Sequence, residues 1–382
     1  MGTVDGLTSK FRLAFRIKRE NDGSLTATMD SPDQGTRNTP VETVALTERK
    51  LVLGLAKGAG RFEGEVNLDS EEISGEWILQ GNRFPLVLKR VETVPEISNP
   101  SVTRINDVIY GKKYGVALTM DVFKPSTPNG AGVIWVVSGG FSSSHDMVPD
   151  LFQLRKLFER GYTVFAVVHG SRPKYTIPEI MEDMNRAVRS IRFHASDYGV
   201  DPGRLGITGS SSGGHLALVQ GTAGDMGNPD AKDPVEKESS RVQAVACFCP
   251  PTDFLNYGKP GENAVGRGIL KDYKAIFDFH EYDEASKTLI PITNEDRITE
   301  IVRKISPIYH VTADDPPTLI IHGDADNLVP IQQSESIMSK FKEAGVPAKL
   351  ITKPGAGHGW PNVSDDVKYL ADWFDEYLTT SH

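Results

Sequence analysis

Residues 206 to 218 read GITGSSSGGHLAL, and the centre of that run is Gly209-Ser210-Ser211-Ser212-Gly213. A Gly-x-Ser-x-Gly turn between a strand and a helix thrusts its central side chain outward, and the turn closes only if the positions two before and two after lack bulk. Ser211 is therefore a candidate nucleophile at a helix N-terminus. A turn of this composition standing alone is equally compatible with an N-cap cluster that does no chemistry. A hydroxyl is a poor nucleophile until a base takes its proton, and an acid has to fix that base. Candidates for both follow in the chain: Asp324 and Asp326 in TLIIHGDADNLVP (318–330), then His358 in AKLITKPGAGHGW (348–360). Serine, acid and histidine in that order, each in a loop after an apolar run, point to nucleophilic attack with proton transfer through the imidazole.

Bringing together side chains drawn from positions 211 to 358 takes a sheet whose strand ends converge. Phe11, Leu13, Phe15 and Ile17 alternate with polar residues, as do Leu51, Leu53 and Leu55, then Phe84, Leu86 and Leu88. A period of two belongs to half-buried antiparallel strands. Asn21-Asp22-Gly23 and KGAGRFEG (57–64) are turn signals between such runs. Residues 1–92 are accordingly expected to form a small all-β sandwich or barrel of six to eight strands. The segment TVPEISNPS (93–101), with its two prolines, marks a linker over 93–103.

Residues 104–382 follow a different pattern. Apolar runs at 104–110, 116–123, 132–137, 163–168, 204–208, 244–248, 318–322 and 348–352 alternate with helical patterns at 149–160, 178–198, 213–224, 331–345 and 364–378. Near-continuous Val, Ile and Leu strands alternating with amphipathic helices are the signature of an α/β domain, here a mostly parallel eight-stranded sheet covered on both faces. The interval 253–304 breaks the alternation. It is charged, carries Phe254, Tyr257, Phe277, Phe279 and Tyr282, and is too long for an ordinary connection, so it reads as an insertion able to cover a site.

Taken together, YGVALTMDVFKP (114–125), VVSGGFSSS (136–144), YGVDPGRLGITGSSSGGHLAL (198–218), HGDADNLVP (322–330) and GAGHGW (355–360) resemble the α/β-hydrolase superfamily. The likeness is to esterases and lipases, in the acetylxylan and feruloyl esterase-like and hormone-sensitive-lipase-like branches, and more distantly to prolyl oligopeptidases. The resemblance implies that the catalytic acid is the last Asp of HGxxDxxVP, here Asp326, with Asp324 as its rival. An oxyanion formed on carbonyl attack needs two preorganised N–H donors. One is the backbone of Ser212. The other belongs to the loop after the third strand, where such enzymes carry His-Gly-Gly and this chain has Ser138-Gly139-Gly140-Phe141, so Gly140 and Phe141 are the expected donors. Ser138 in place of the family histidine leaves any side-chain role at that position open.

The implied activity is hydrolysis of small acyl esters through an acyl-enzyme, carbohydrate-linked acetyl or feruloyl esters among them, with no cofactor and no metal. A serine peptidase is the alternative enzyme, but a module of about 92 residues cannot build the propeller those enzymes carry. A binding protein on a hydrolase scaffold is the alternative outside catalysis. His169 and Trp360 are expected to border the pocket, whereas His215 and His322 read as buried structural hydrogen-bonders and Asp253 as a cap. None of the histidines has metal-ligand spacing. A formal net charge of −9 without clustered Lys or Arg excludes a nucleic-acid partner. Cys247 and Cys249 are expected as buried free thiols. No apolar run reaches the length of a membrane span and the chain does not open on an apolar leader, so it reads as soluble, with compartment and self-association left open.

Overall fold

The computed structural model describes residues 1–5, 10–32, 36–56, 60–69, 71–79, 82–94, 101–151, 153–360 and 363–379. The chain divides into two compact units, Met1–Asn99 and Pro100–His382. Most of the expected linker, residues 95–100, lies outside the described residues, as do Lys57, Gly58 and Ala59 of the second turn signal and His382.

The first unit holds β1 (Gly2–Asp5), β2 (Lys10–Arg19), β3 (Leu25–Ser31), β4 (Thr36–Thr47), β5 (Lys50–Leu55), β6 (Arg61–Asn67), β7 (Glu72–Leu79) and β8 (Asn82–Lys89). Each strand pairs antiparallel with the next in chain order. The amino group of Met1 donates to the Lys89 carbonyl at 2.6 Å and the Lys89 N–H donates back at 2.9 Å, so the sheet curls until its ends meet as in a barrel. Alternating positions supply the interior, where Leu13, Leu51, Leu53, Trp77, Leu86 and Leu88 form one apolar cluster with Phe62, a residue of the expected 57–64 turn that instead lies in β6 because the strand starts at Arg61. Asp22 accepts from the Ser24 N–H and hydroxyl, and Gly23 takes the positive φ that closes the first hairpin.

The second unit is built on β9 (Val102–Lys113), β10 (Val116–Pro125), β11 (Gly132–Val137), β12 (Thr163–Val168), β13 (Leu205–Ser210), β14 (Ala244–Phe248), β17 (Thr318–Gly323) and β18 (Ala348–Lys353). They lie in the order β18-β17-β14-β13-β11-β12-β10-β9, parallel from β18 to β12 and antiparallel for β10 and β9. All eight apolar runs are strands. Successive strand residues enter opposite apolar layers, Ile134, Ile207 and Ile320 one and Val133, Phe248 and Ile321 the other. The first layer packs under α2 (Ile177–Phe193), α4 (Ser212–Ala223) and α6 (Gln332–Ala344), the second under α1 (Arg155–Phe158) and α7 (Val363–Phe374); α3 (Ala195–Tyr198) is a single turn.

Helix α2 starts on a capping box, in which Thr176 and Glu179 satisfy each other's backbone N–H, with Pro178 in its first turn. The helix expected over 149–160 forms only at Arg155–Phe158, after a turn in which Asp150 accepts from the Gln153 N–H. The interval 253–304 departs from the strand–helix alternation, as expected. It carries a 3-10 segment, Gly268–Phe277, a hairpin of β15 (His280–Asp283) and β16 (Thr288–Pro291), and helix α5 (Glu295–Ile305), whose Val302 and Ile305 are buried.

Ile207 has no exposed surface at the centre of β13. Replacing it by Ala is expected to cost about 2–5 kcal/mol, read as a lowered midpoint in denaturant-induced unfolding.

Candidate active site

Strand β13 ends at Ser210 and α4 begins at Ser212, leaving Ser211 alone in the turn at φ 55°, ψ −119°. A left-handed residue with a side chain costs on the order of 1–3 kcal/mol and persists only where its surroundings enforce it. Here they do. The Ser211 N–H donates to the Phe248 carbonyl at 2.9 Å, and its carbonyl accepts from His215 N–H at 2.8 Å. A Cβ on Gly209 would stand 2.5 Å from the Gly213 carbonyl, and one on Gly213 2.8 Å from the Val136 oxygen. The glycines of the motif are thus demanded by backbone approaching backbone.

Past β17 the chain turns through Asp326, and past β18 through His358. His358 Nε2 lies 2.9 Å from Ser211 Oγ and His358 Nδ1 2.7 Å from Asp326 Oδ2. A carboxylate only accepts, so Nδ1 carries the ring proton and Nε2 faces the serine as acceptor. Asp324, the rival acid, is exposed and accepts from the Gly355 N–H at 2.6 Å instead. Asp326 is further held by the N–H groups of Leu328 and Val329, both at 2.9 Å, and by the fully buried His322 at 3.2 Å. The Nε2 of His322 also meets the Val329 carbonyl at 2.8 Å, so this nitrogen is the donor, and Nδ1 accepts from the Ser334 hydroxyl at 2.6 Å.

Burial opposes a charge on Asp326, but hydrogen bonds from His322, His358 and Val329 hold its carboxyl well below the usual carboxylate range. Burial likewise opposes protonation of His358. The Asp326 carboxylate and the Cys249 sulfur outweigh it and push the imidazole above its ordinary 6.5.

Gly139 and Ser142 exchange two backbone hydrogen bonds, at 2.9 and 3.0 Å, around Gly140 and Phe141, which have φ of 56° and 62°. Positive φ at both central residues belongs to a type I′ turn. Among the described residues no acceptor within the protein meets the N–H of Gly140 or Phe141. Ser212, in the first turn of α4, has no intrahelical partner for its N–H. Its hydroxyl pairs with that of Ser138 at 2.9 Å, which gives the serine standing in the family's histidine position a buttressing contact between the two loops. The Phe141 ring is buried edge-on against His215, 5.4 Å between centroids.

A small cavity opens beside Ser211 and Ser212. The turn supplies Gly140 and Phe141, the acid loop Leu328 and Val329, and the 253–304 insertion Phe254, Tyr257, Leu270, Tyr273 and Ile276. The two residues expected at its border are elsewhere. His169 is buried, with Nδ1 donating to the Gly170 carbonyl at 2.7 Å, and burial pushes its pKa down to about 4. Trp360 donates to Asp366 Oδ2 at 2.7 Å and packs on Phe248, closing the core beneath the His358 loop. Both sit at strand-end loops, as expected, but their rings turn into the protein. His215 is likewise a core residue, donating from Nδ1 to the Pro251 carbonyl at 3.1 Å, and Asp253 caps the N–H groups of Leu255 and Asn256. Sequence reasoning passed over Leu270, Tyr273, Ile276 and Cys249. Only the apolar and aromatic content of the insertion signalled the first three.

Both cysteines are free and buried. Ligand-type atoms of Cys249, Asp326 and His358 fall within 4.8 Å of one another, as do those of Asp107, Asp121 and His145. In each group the carboxylate is already engaged, Asp326 by His358 and Asp121 by Arg104 and the Asp107 N–H. Among the described residues no helix is long and apolar enough to cross a membrane.

Comparison with known proteins agrees with this geometry. The probable carboxylic ester hydrolase LipM of Mycobacterium tuberculosis is 26% identical over 249 residues, 62% of this chain and 51% of that protein. The chain spans about half the length of the curated relatives it matches most strongly. A truncated carbohydrate esterase from gut microbiota superposes with a TM-score of 0.59 at 26% identity, over 75% of this chain and 99% of that one. An esterase of the planctomycete Thermogutta terrifontis superposes with a TM-score of 0.53 at 25% identity, over 74% and 93% of the two chains. The BD-FAE family model matches residues 120–341, more than half of the sequence and the span that carries Ser211 and Asp326. The second unit thus has the α/β-hydrolase fold, and the chain belongs to the BD-FAE family.

Proposed function

We propose that this protein is a serine carboxylic ester hydrolase that works through an acyl-enzyme on small acyl esters, carbohydrate-linked esters among them. The observation that carries the proposal is the unbroken chain Asp326, His358, Ser211, with contacts of 2.7 and 2.9 Å, beside a turn whose two central N–H groups, of Gly140 and Phe141, have no acceptor within the described protein.

Ser211 Oγ attacks the ester carbonyl carbon while His358 Nε2 takes its proton. Asp326 keeps the other ring nitrogen protonated and faces the imidazolium that forms. The carbonyl oxygen, now an anion, is met by N–H groups of Gly140, Phe141 and Ser212, already oriented before reaction. His358 returns the proton to the leaving alcohol as the carbon–oxygen bond breaks. Water, deprotonated by His358, then attacks the acyl-serine, and the carboxylic acid leaves as Ser211 recovers its proton. The cavity beside Ser211 is small and apolar, well below the size of clefts that take drug-sized ligands, which supports short acyl groups. Relatedness to a protein described as a carbohydrate esterase supports a saccharide alcohol.

Ser211→Ala and His358→Ala are each expected to lower kcat on p-nitrophenyl acetate by about 10⁴–10⁶-fold with the circular dichroism spectrum unchanged. Asp326→Asn should lose on the order of 10⁴-fold, and Asp324→Asn little. A worse loss in Asp324→Asn overturns the acid assignment. Stoichiometric phosphylation of Ser211 by an organophosphate separates this reading from a binding protein, in which the serine stays unlabelled.

The base has to be neutral to accept the serine proton, and its pKa is raised. The kcat/KM profile for p-nitrophenyl acetate should therefore rise with pH along a limb centred above 6.5. A limb centred below that value contradicts the geometry at Asp326.

On a ladder of p-nitrophenyl esters, turnover should fall as the acyl chain lengthens. Leu270→Ala or Ile276→Ala, each opening the wall, should raise the longer esters relative to acetate by about fourfold per methylene admitted.

A further inference from the structure

The arginines of the second unit are mostly spoken for. Arg104 reaches Asp121, Arg160 the pair Asp372 and Asp375, Arg186 the pair Asp233 and Glu236, Arg189 the pair Asp225 and Glu236, and Arg241 reaches Asp314. Arg172 differs. It is half-buried, its Nε donates to Ser142 Oγ at 3.1 Å, and its guanidinium lies 4.9 Å over the ring of Tyr273. Among the described residues it has no carboxylate partner, and its Nη groups have no acceptor.

Its position gives that unspent charge a use. The Arg172 N–H donates to the Phe141 carbonyl at 3.1 Å, which fixes the residue to the oxyanion turn. A Cβ placed on Gly140 would stand 2.7 Å from Tyr273 Cε1 and 3.6 Å from an Arg172 Nη. Ring and guanidinium therefore lean on the same glycine whose N–H faces the reacting carbonyl, and Tyr273 also lines the cavity at Ser211. A guanidinium held flat by an aromatic face and anchored through Nε presents its remaining N–H groups as a preformed fork, the geometry that takes a carboxylate through two parallel hydrogen bonds. Removal of part of its water by burial strengthens that attraction.

We propose that Arg172, carried on Tyr273, is a carboxylate subsite, so that the preferred substrates are esters bearing a carboxylate a few bonds from the scissile carbonyl. This rests on the ester hydrolase reading above. The carboxylate is carried either on the alcohol, as in an acylated acidic sugar or hydroxy acid, or on the acyl group, as in a dicarboxylic half-ester.

The test compares matched pairs in wild type, Arg172→Gln and Arg172→Lys. For the alcohol side the pair is 4-acetoxybenzoate and its methyl ester. For the acyl side it is mono-p-nitrophenyl succinate and p-nitrophenyl butyrate. Arg172→Gln is expected to lower kcat/KM for the charged member of one pair by about 10–100-fold, the range for hydrogen bonds to a charged group. Both neutral members and p-nitrophenyl acetate should fall less and by a common factor, so the ratio of charged to neutral kcat/KM carries the effect, and Arg172→Lys should recover part of that ratio because it keeps the charge without the fork. Added salt should erode the preference in wild type alone. The pair that responds identifies which side of the ester carries the acid. If charged and neutral members fall by the same factor in both pairs, or neither falls, the subsite is wrong. If wild type hydrolyses no ester at all, p-nitrophenyl acetate included, it is the hydrolase reading that fails.

Discussion

The site hangs on one buried carboxylate. Asp326 lies at the tip of the loop after β17, where a charge loses most of its water and would be expelled as the neutral acid if nothing replaced it. Four donors replace it: two backbone N–H groups of its own turn, the His322 ring and the His358 ring. His358, on the separate loop after β18, is oriented by that carboxylate, and its far nitrogen is brought to Ser211. His322 is itself oriented by the Ser334 hydroxyl at the start of α6, so the direction of the reactive imidazole traces back to packing between β17 and α6.

Against this acidic anchor the serine side of the site is built mainly from backbone. Ser211 is strained into its turn by the Phe248 carbonyl on the neighbouring strand and by α4 behind it. The facing turn at Gly140 and Phe141 reaches the same region from the end of β11. The Ser138 and Ser212 hydroxyls tie the two loops together. Rigid strand ends supply every fixed atom, which is what a reaction sensitive to displacements of an ångström requires.

Much of this was legible in the residues. Eight apolar runs became the eight strands of the second sheet, buried on both faces at its centre in β11, β12, β14 and β17 and partly exposed at its edges in β9 and β18. Ser211, Asp326 and His358 stood out because a tight turn and an ordered set of loops leave few alternatives for those residue types. The choice between Asp324 and Asp326 could not be made from spacing: it turns on which carboxylate the loop points inward, and Asp324 points to Gly355. His169 and Trp360 show the same limit, since a residue at a strand end faces either the cleft or the core according to neighbours far away in sequence. Arg172 and Tyr273, about a hundred positions apart, carry no mark of their meeting. The helix expected over 149–160 is cut short by a local competitor, the Asp150 side chain, which takes the Gln153 N–H and turns the chain before Arg155.

The cavity has a divided origin. Every atom that would move a proton or stabilise charge belongs to the strand ends and the turns that follow them. The largest single share of the wall a substrate would feel comes from one stretch, through Phe254, Tyr257, Leu270, Tyr273 and Ile276. Exchange of its aliphatic residues, with the two tyrosines kept where they brace the Leu328 carbonyl and the Gly140 turn, would leave the reactive machinery standing, so the scaffold can acquire new substrate preferences without relearning how to break a bond.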